Sequence, residues 1–323
     1  MLGLGNSISG GTALAAKQSE FSILFDGSND YIKTGGNAST KPTSALTVSA
    51  WVNMDTASGG YGWPNPDGNS DHIQVVVGVI ASGGYALSVH YSGTAANPVT
   101  HISGNARVAN NGSGLSNKYF SDAFYNVSDN GYEANASDAG ISGSGDATAD
   151  GAPINQKGCA WGGYTSGGNT LHNIRNLTGW NHLAMTYSAG VMKLYINGTL
   201  KRTADTGVSS NNISYNSNSA AEVMIGADLG GVPSGGADFL DGLIDDVAIW
   251  SAAIDADGIS KIYNNGAGGT TFTSADGDYD NQSNLEAWYT FEEGTGTSVA
   301  DSSTNSNTGT LVNGPVFSTN TAG

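Results

Sequence analysis

Between Trp180 and Arg202 the sequence WNHLAMTYSAGVMKLYINGTLKR alternates apolar and polar residues twice, and this segment constrains the fold more than any other. Leu183, Met185 and Tyr187 fall on one face of a first strand, and Met192, Leu194 and Ile196 do the same on a second. Ser188, Ala189 and Gly190 make the connection tight, and Asn197-Gly198 supplies the positive-φ pair of a type I′ turn. The segment therefore reads as a β-meander. The rest of the chain agrees: its 323 residues include 48 Gly, with many Asn, Ser and Thr and little helical periodicity, which suits short strands joined by polar turns. That length can bury the core of one large sandwich.

Charge and cysteine usage narrow the function classes. A formal charge of −17 and a pI near 4.3 disfavour partners with exposed phosphates, so neither nucleic acid nor an anionic membrane is expected. Only 12% of residues are charged while 9% are aromatic, which separates the chain from disordered acidic sequences. The lone Cys159 excludes an internal disulfide and a cysteine metal site. The first cation is Lys17 and the longest apolar run is Val75 to Ala81, so a soluble product without an amino-terminal export signal is expected. His72, His90, His101, His172 and His182 show no paired ligand spacing and read as structural rather than zinc-binding.

Along the chain, residues 1–18 form a Gly-rich arm carrying Leu2, Leu4 and Ile8, either a flexible tail or an anchor that orders on a partner. Phe21 to Ile32 reads as a strand, an Asp26-Gly27 turn and a second strand, and Leu46 to Asn53 alternates with Leu46, Val48, Ala50 and Val52 on one face. Trp51 falls on the opposite, mostly polar face, where it is either covered or a platform for stacking a sugar; the large insertion nearby favours a cover. His72–Ala81 and Tyr85–Tyr91 read as strands, residues 92–160 as an ordered insertion of loops and short strands, and Ala221–Ile225 as a further strand. In Asp238 to Trp250, simple alternation places Leu243, Val247 and Ile249 with Asp245, and Ile244, Ala248 and Trp250 with Asp246. One carboxylate would then lie on the core face. A short helix is expected over 254–266, capped by Asp255 and closed by Gly266.

Several of these phrases have family-like wording and spacing: FDGSNDYI at 25–32, WNHLA and LYING in the meander, DGLIDDVAIW at 241–250, and LEAWYTFEEG at 285–294 followed by Asp301-Ser302. Together they resemble the laminin-G-like branch of the concanavalin A-like lectin/glucanase sandwiches, over about residues 20–91 and 161–315. The resemblance implies an all-β, two-sheet antiparallel jelly roll with one short helix and a long loop insertion. It also implies one domain over 19–323 after the arm, with the family's opening strands, about 285–317, placed last as in a circular permutation.

Three chemistries follow as expectations. The glucanase relatives use a Glu-x-Asp-x-Glu strand, and no such pattern exists here, so no enzyme is expected. The resemblance makes calcium, Ca2+, a candidate cofactor, with Asp26, Asp30, Asp245 and Asp246 as the candidate ligands, although Asp26 and its neighbours also suit turn capping. Aromatic and amide side chains in two loops, Tyr61, Trp63, Asn65 and Asp67, then Trp161, Tyr164 and Asn169, with Trp51, form the glycan-binding candidates. The conjunction of a lectin-like fold, no disulfide, no export signal and an apolar arm resembles laminin-G-like structural proteins of marine bacteriophages. It implies a homo-oligomeric virion decoration or tail protein, made in the host cytoplasm, contacting capsid or tail proteins through the arm and glycans at its surface. A surface adhesin is the alternative, and a glycoside hydrolase the third reading.

Overall fold

A computed structural model of the chain describes residues 19–35, 37–54, 72–79, 84–94, 97–108, 119–126, 179–205, 212, 213, 215, 222–227, 239–264, 266 and 271–323. They form two antiparallel sheets packed face to face. The strands are β1 (Ser22–Asp26), β2 (Tyr31–Lys33), β3 (Ala45–Met54), β4 (His72–Gly78), β5 (Tyr85–Thr94), β6 (Asn97–Val108), β7 (Tyr119–Asn126) and β8 (Asn181–Ser188). They continue as β9 (Val191–Ile196), β10 (Thr199–Asp205), β11 (Met224–Ile225), β12 (Asp241–Trp250), β13 (Leu285–Tyr289), β14 (Ser298–Val299), β15 (Gly309–Val312) and β16 (Val316–Ser318). Among the described residues one α-helix, α1 (Ala256–Asn264), and a 3-10 turn at Gln282–Asn284 lie between β12 and β13.

The first sheet runs β10-β9-β8-β3-β12-β1-β16, with β13 also on β12; the second runs β14-β15-β2-β11-β4-β5-β6-β7. The meander sets the first sheet. Ala189 and Gly190 have φ 50° and 85°, and Asn197 and Gly198 have φ 49° and 72°, the left-handed pairs that two-residue hairpins require. Leu183, Met185 and Tyr187 of β8 and Met192, Leu194 and Ile196 of β9 then enter the inter-sheet core with Ile23, Phe25, Val48, Ala50 and Val52. The second sheet supplies Ile32, Val77, Tyr85, Leu87, Val89, Ile102 and Ala106. At Gly104 a Cβ would sit 2.9 Å from Leu194 and 3.0 Å from Met185 sulfur, so glycine lets the sheets approach there.

Three features differ from simple alternation or local hairpins. The stretch after β1 does not fold back as a hairpin: β1 pairs with β12 and β16, while β2 pairs with β11 and β15 in the other sheet. The turn between them is a corner between layers. Within 92–160, β6 is a twelve-residue strand hydrogen-bonded to both β5 and β7, longer than the short strands expected there. In β12 a bulge between Asp245 and Ala248, with Asp246 at φ 49°, shifts the alternation by one residue. Ile244, Val247 and Ile249 therefore face the inter-sheet core together, whereas Ala248 and Trp250 enter a second cluster on the outer side.

That second cluster is built by α1 and the segment after it. Asp255 Oδ1 accepts the Gly258 N–H at 2.8 Å as an N-cap, and Gly266, φ 73°, ends the element. Ile259 and Ile262 pack with Trp250, Phe272, Tyr279, Leu285 and Trp288 over the outer face of the first sheet. Trp250 Nε1 donates to Tyr279 Oη, which donates to Phe272 O, so the buried polar tips are satisfied. The C-terminal strands close the molecule, β16 pairing with β1 and β15 with β2.

Candidate functional site

The outer face of the first sheet carries a cross-strand row: Asp245 of β12 opposite Trp51 of β3, and Trp51 opposite His182 of β8. None of the three is open to solvent. Tyr263 of α1 stacks on Trp51 with ring centroids 5.6 Å apart, and the His182 ring lies 5.4 Å from Trp51 and 6.1 Å from Tyr263. Trp51 is 8% exposed, so its face is closed to a sugar and it leaves the glycan-binding set. Among the described residues, the helix is what stacks on it. Gly198 fits beneath the same helix, since a Cβ there would lie 2.8 Å from Tyr263 Cδ1. Both His182 ring nitrogens are buried without hydrogen-bond partners, and burial lowers the imidazole to about 3.

The four aspartates considered for calcium do not form one site, and no group of three or more His, Cys, Asp or Glu that could hold a metal exists among the described residues. Asp26 Oδ1 accepts the Ser28 N–H at 2.8 Å and the Asn29 N–H at 3.4 Å, the arrangement of an Asx turn. Asp30, raised by burial and then by Asp26, accepts the Asp26 N–H at 3.3 Å through Oδ2. These two shape the corner between β1 and β2. Asp246 Oδ1 accepts the Trp288 indole N–H. Asp245 is different. It is fully buried, and Oδ2 accepts the Ala322 N–H at 3.3 Å while Oδ1 has no partner. Burial first and Asp246 second raise it to about 7, with Glu292 adding to the rise and Ser19 and Ala322 opposing it.

A strap of C-terminal residues lies over this row. Ser22 Oγ donates to Asn320 O at 2.7 Å, and Trp180 Nε1 donates to Asn320 Oδ1 at 3.1 Å. On the other side of Asp245, Ser19 Oγ lies 3.0 Å from Glu292 Oε1, and the Glu20 N–H donates to the same carboxylate. Ser19, Glu292, Trp180 and Asn320 are not among the site residues expected from the sequence. Their signal is tertiary: Trp180 and Asn320 meet once β16 has paired with β1, and Ser19 and Glu292, 273 residues apart, once β1 and β13 have both paired with β12.

The remaining glycan candidates, Tyr61, Trp63, Asn65, Asp67, Trp161, Tyr164 and Asn169, lie outside the described residues, as do the arm residues Leu2, Leu4 and Ile8. The described strand ends that flank the glycan candidates are informative. The end of β3 pairs with the start of β12 (Met54 with Gly242), and β8 starts beside it (Val52 with Asn181). In the second sheet β4 starts opposite the end of β5 (His72 with Tyr91), and β7 ends beside the start of β6 (Asn126 with His101). Asp26 pairs with Asp241 at this same end of the first sheet, and its corner leads directly into Tyr31 of the second. Thus 55–71 and 127–178 both join the sandwich at one end.

Residues 67–260, well over half of the chain, match the family described as the concanavalin A-like lectin/glucanases superfamily. The chain belongs to that superfamily. No curated protein sequence matches it. Among solved structures it is similar to a putative carbohydrate binding protein from Bacteroides ovatus, at 17% identity over 93% of this chain and 60% of that one, TM-score 0.49. It is also similar to a pentraxin from Limulus polyphemus, at 14% identity over 76% and 82% of the two chains, TM-score 0.40. A third is the Ruminococcus gnavus sialidase module CBM40 bound to α2,3 sialyllactose, at 13% identity over 75% and 96%, TM-score 0.40. The chain thus spans 60% of the length of the Bacteroides ovatus protein.

Proposed function

We propose that this lectin-like sandwich is a non-catalytic, glycan-binding component of a virion surface. The observation that supports glycan binding is that the strand ends flanking 55–71 and 127–178 lie at one end of the sandwich, so the aromatic and amide side chains of these two segments are tethered to the same end. Stacking on Trp63 and Trp161, with hydrogen bonds from Asn65, Asp67 and Asn169, is the chemistry a sugar ring requires. The outer face of the first sheet is a poor rival, being occupied by α1 and the C-terminal strap.

Absence of catalysis rests on the carboxylates. Hydrolysis needs two carboxyl groups about 5–9.5 Å apart on an open cleft. Asp245 is fully buried, Asp301 accepts hydrogen bonds from Trp288, Ser303 and Asn307, and Glu292 is bonded to Ser19 and Glu20. Placement on a particle rests on the sequence: a lectin-like chain without disulfides and with a Gly-rich, Leu-bearing amino-terminal arm suited to an assembly partner.

Two measurements test the reading. A glycan array probed with the full chain is expected to return saccharides, and no sugar release is expected from them on prolonged incubation. Quantitative peptide mass spectrometry of purified cell-free particles is expected to find the chain at structural copy number. An empty array refutes glycan binding, and absence from the particles refutes the virion assignment in favour of a cell-surface adhesin.

A further inference from the structure

Among the described residues two Asn-Gly pairs form turns, and the fold treats them oppositely. Asn197-Gly198, between β9 and β10, is half-buried. Asn197 Oδ1 accepts the His182 N–H at 2.9 Å, Nδ2 donates to Asn181 Oδ1 at 3.0 Å, and its own N–H donates to His182 O at 2.8 Å. Gly198 lies under α1, where a Cβ would meet Tyr263 at 2.8 Å. Asn313-Gly314 is exposed. It connects β15 of the second sheet to β16 of the first, with φ 68° and 128°. Among the described residues the Asn313 side chain holds one hydrogen bond, from Nδ2 to Asn29 O at 2.9 Å, and a Cβ on Gly314 would meet only Asp30 Oδ1, at 3.6 Å. Asn suits a left-handed position, so turn formation accounts for its presence there. Its freedom to react is a separate consequence of the fold.

We propose that Asn313 is a site of spontaneous deamidation, a slow covalent change that loosens the corner between the two sheets. The reaction needs only water and the chain's own backbone. The Gly314 nitrogen gives its proton to solvent base and attacks Asn313 Cγ; the new C–N bond closes a succinimide ring as the Cγ–Nδ2 bond breaks and ammonia leaves, reprotonated by solvent. Water then opens the ring at either carbonyl, leaving aspartate or, with the backbone rerouted through Cγ, isoaspartate. At Asn313 ring closure gives up one exposed hydrogen bond. At Asn197 it would break two side-chain bonds and leave the N–H of buried His182 without that acceptor, in a turn crowded by α1. The neighbours give the product its effect. Asn313 stitches the β15–β16 connection to the β1–β2 corner through Asn29 O. A carboxylate at 313 cannot donate to that carbonyl, and it adds negative charge beside Asp30, with Asp26 and Asp241 paired in the same corner. The corner stands at the end of the sandwich where 55–71 and 127–178 join, so the change accumulates there with the age of the chain.

The test incubates the full chain in warm, mildly alkaline buffer and follows both Asn-Gly pairs by chymotryptic peptide mapping and tandem mass spectrometry, with the chain unfolded in urea as reference. In the native chain the Asn313 peptide is expected to convert to the acid about tenfold or more faster than the Asn197 peptide, the factor set by the extra bonds broken at Asn197. In urea the two rates should converge, because only the fold separates them. Isoaspartate at 313 should accept a methyl group from an isoaspartyl methyltransferase. Asn313→Gln, whose longer side chain closes a ring far more slowly, should stop conversion at 313. Asn313→Asp, the direct product, should lower Tm by about 2 °C. An Asn313 peptide that stays intact in the native chain while it reacts in urea overturns the inference, as does an Asn197 peptide that reacts as fast. An Asn313→Asp chain as stable as wild type overturns the loosening of the corner.

Discussion

Replacing His182 with Phe isolates the energetic consequence of burying an imidazole between two aromatic rings. In the folded chain the ring is 1% exposed, lies against Trp51 and Tyr263, has no hydrogen bond at either nitrogen, and titrates at about 3. In the unfolded chain it titrates near ~6.5. Above that value both states are neutral and His182 contributes no pH dependence. Below it the unfolded chain binds a proton that the folded chain refuses, so stability is lost as pH falls from about 6.5 toward about 3. At ~1.36 kcal/mol per unit, the loss reaches about 2.7 kcal/mol by roughly pH 4.5. Asp245 works in the opposite direction. Its raised carboxyl makes the folded state take up a proton below about 7, which favours folding as pH falls toward the unfolded value near ~3.8. The two slopes oppose each other in wild type, and comparison with His182→Phe cancels the Asp245 contribution. The assay is urea unfolding of both proteins at several pH values in EGTA. The stability of His182→Phe minus that of wild type should be constant above about pH 7 and grow in favour of the variant by about 2.7 kcal/mol at roughly pH 4.5. Parallel pH profiles would refute the reasoning and show that the ring finds a partner or solvent in solution.

Asp301→Ala should destabilise the C-terminal region by roughly 3–5 kcal/mol in urea unfolding, because its carboxylate accepts from Trp288 N, Ser303 N and Oγ, and Asn307 N and Nδ2. A loss below about 1 kcal/mol would show that these bonds are replaced by water. Gly198→Ala should cost about 1–3 kcal/mol through the φ of 72° and the clash with Tyr263, and should lower the thermal midpoint; an unchanged midpoint would show that α1 moves freely over the hairpin.

Local patterns in the sequence translate into structure where neighbours in sequence decide the geometry. The Ala189-Gly190 and Asn197-Gly198 turns, the strand face Leu46, Val48, Ala50 and Val52, and the Asp255 cap of α1 all follow from residues a few positions apart. What was not legible depends on partners far along the chain. Alternation alone could not reveal the β12 bulge, and so it grouped Asp245 with Val247 when one extra residue separates their faces. Trp51 was ambiguous for the same reason: whether a Trp on a polar strand face stacks a sugar or a helix depends on Tyr263, more than 200 residues later. The meeting of Ser19, Asp245 and Glu292 needs β1, β12 and β13 in register, and no spacing rule joins them. Family wording in DGLIDDVAIW and LEAWYTFEEG marked the strands without stating which oxygen is left unpaired.

Glycan recognition from one end of the sandwich is tested most directly by measuring the affinity of a saccharide from the array for wild type, Trp63→Ala, Trp161→Ala and Trp51→Phe by calorimetry. Each of the two loop variants is expected to bind about tenfold or more weakly, a change of about 1.4 kcal/mol, with thermal stability unchanged. Trp51→Phe, which alters only the covered face under α1, should bind as wild type does. Undiminished affinity in both loop variants, or a loss confined to Trp51→Phe, would contradict the account.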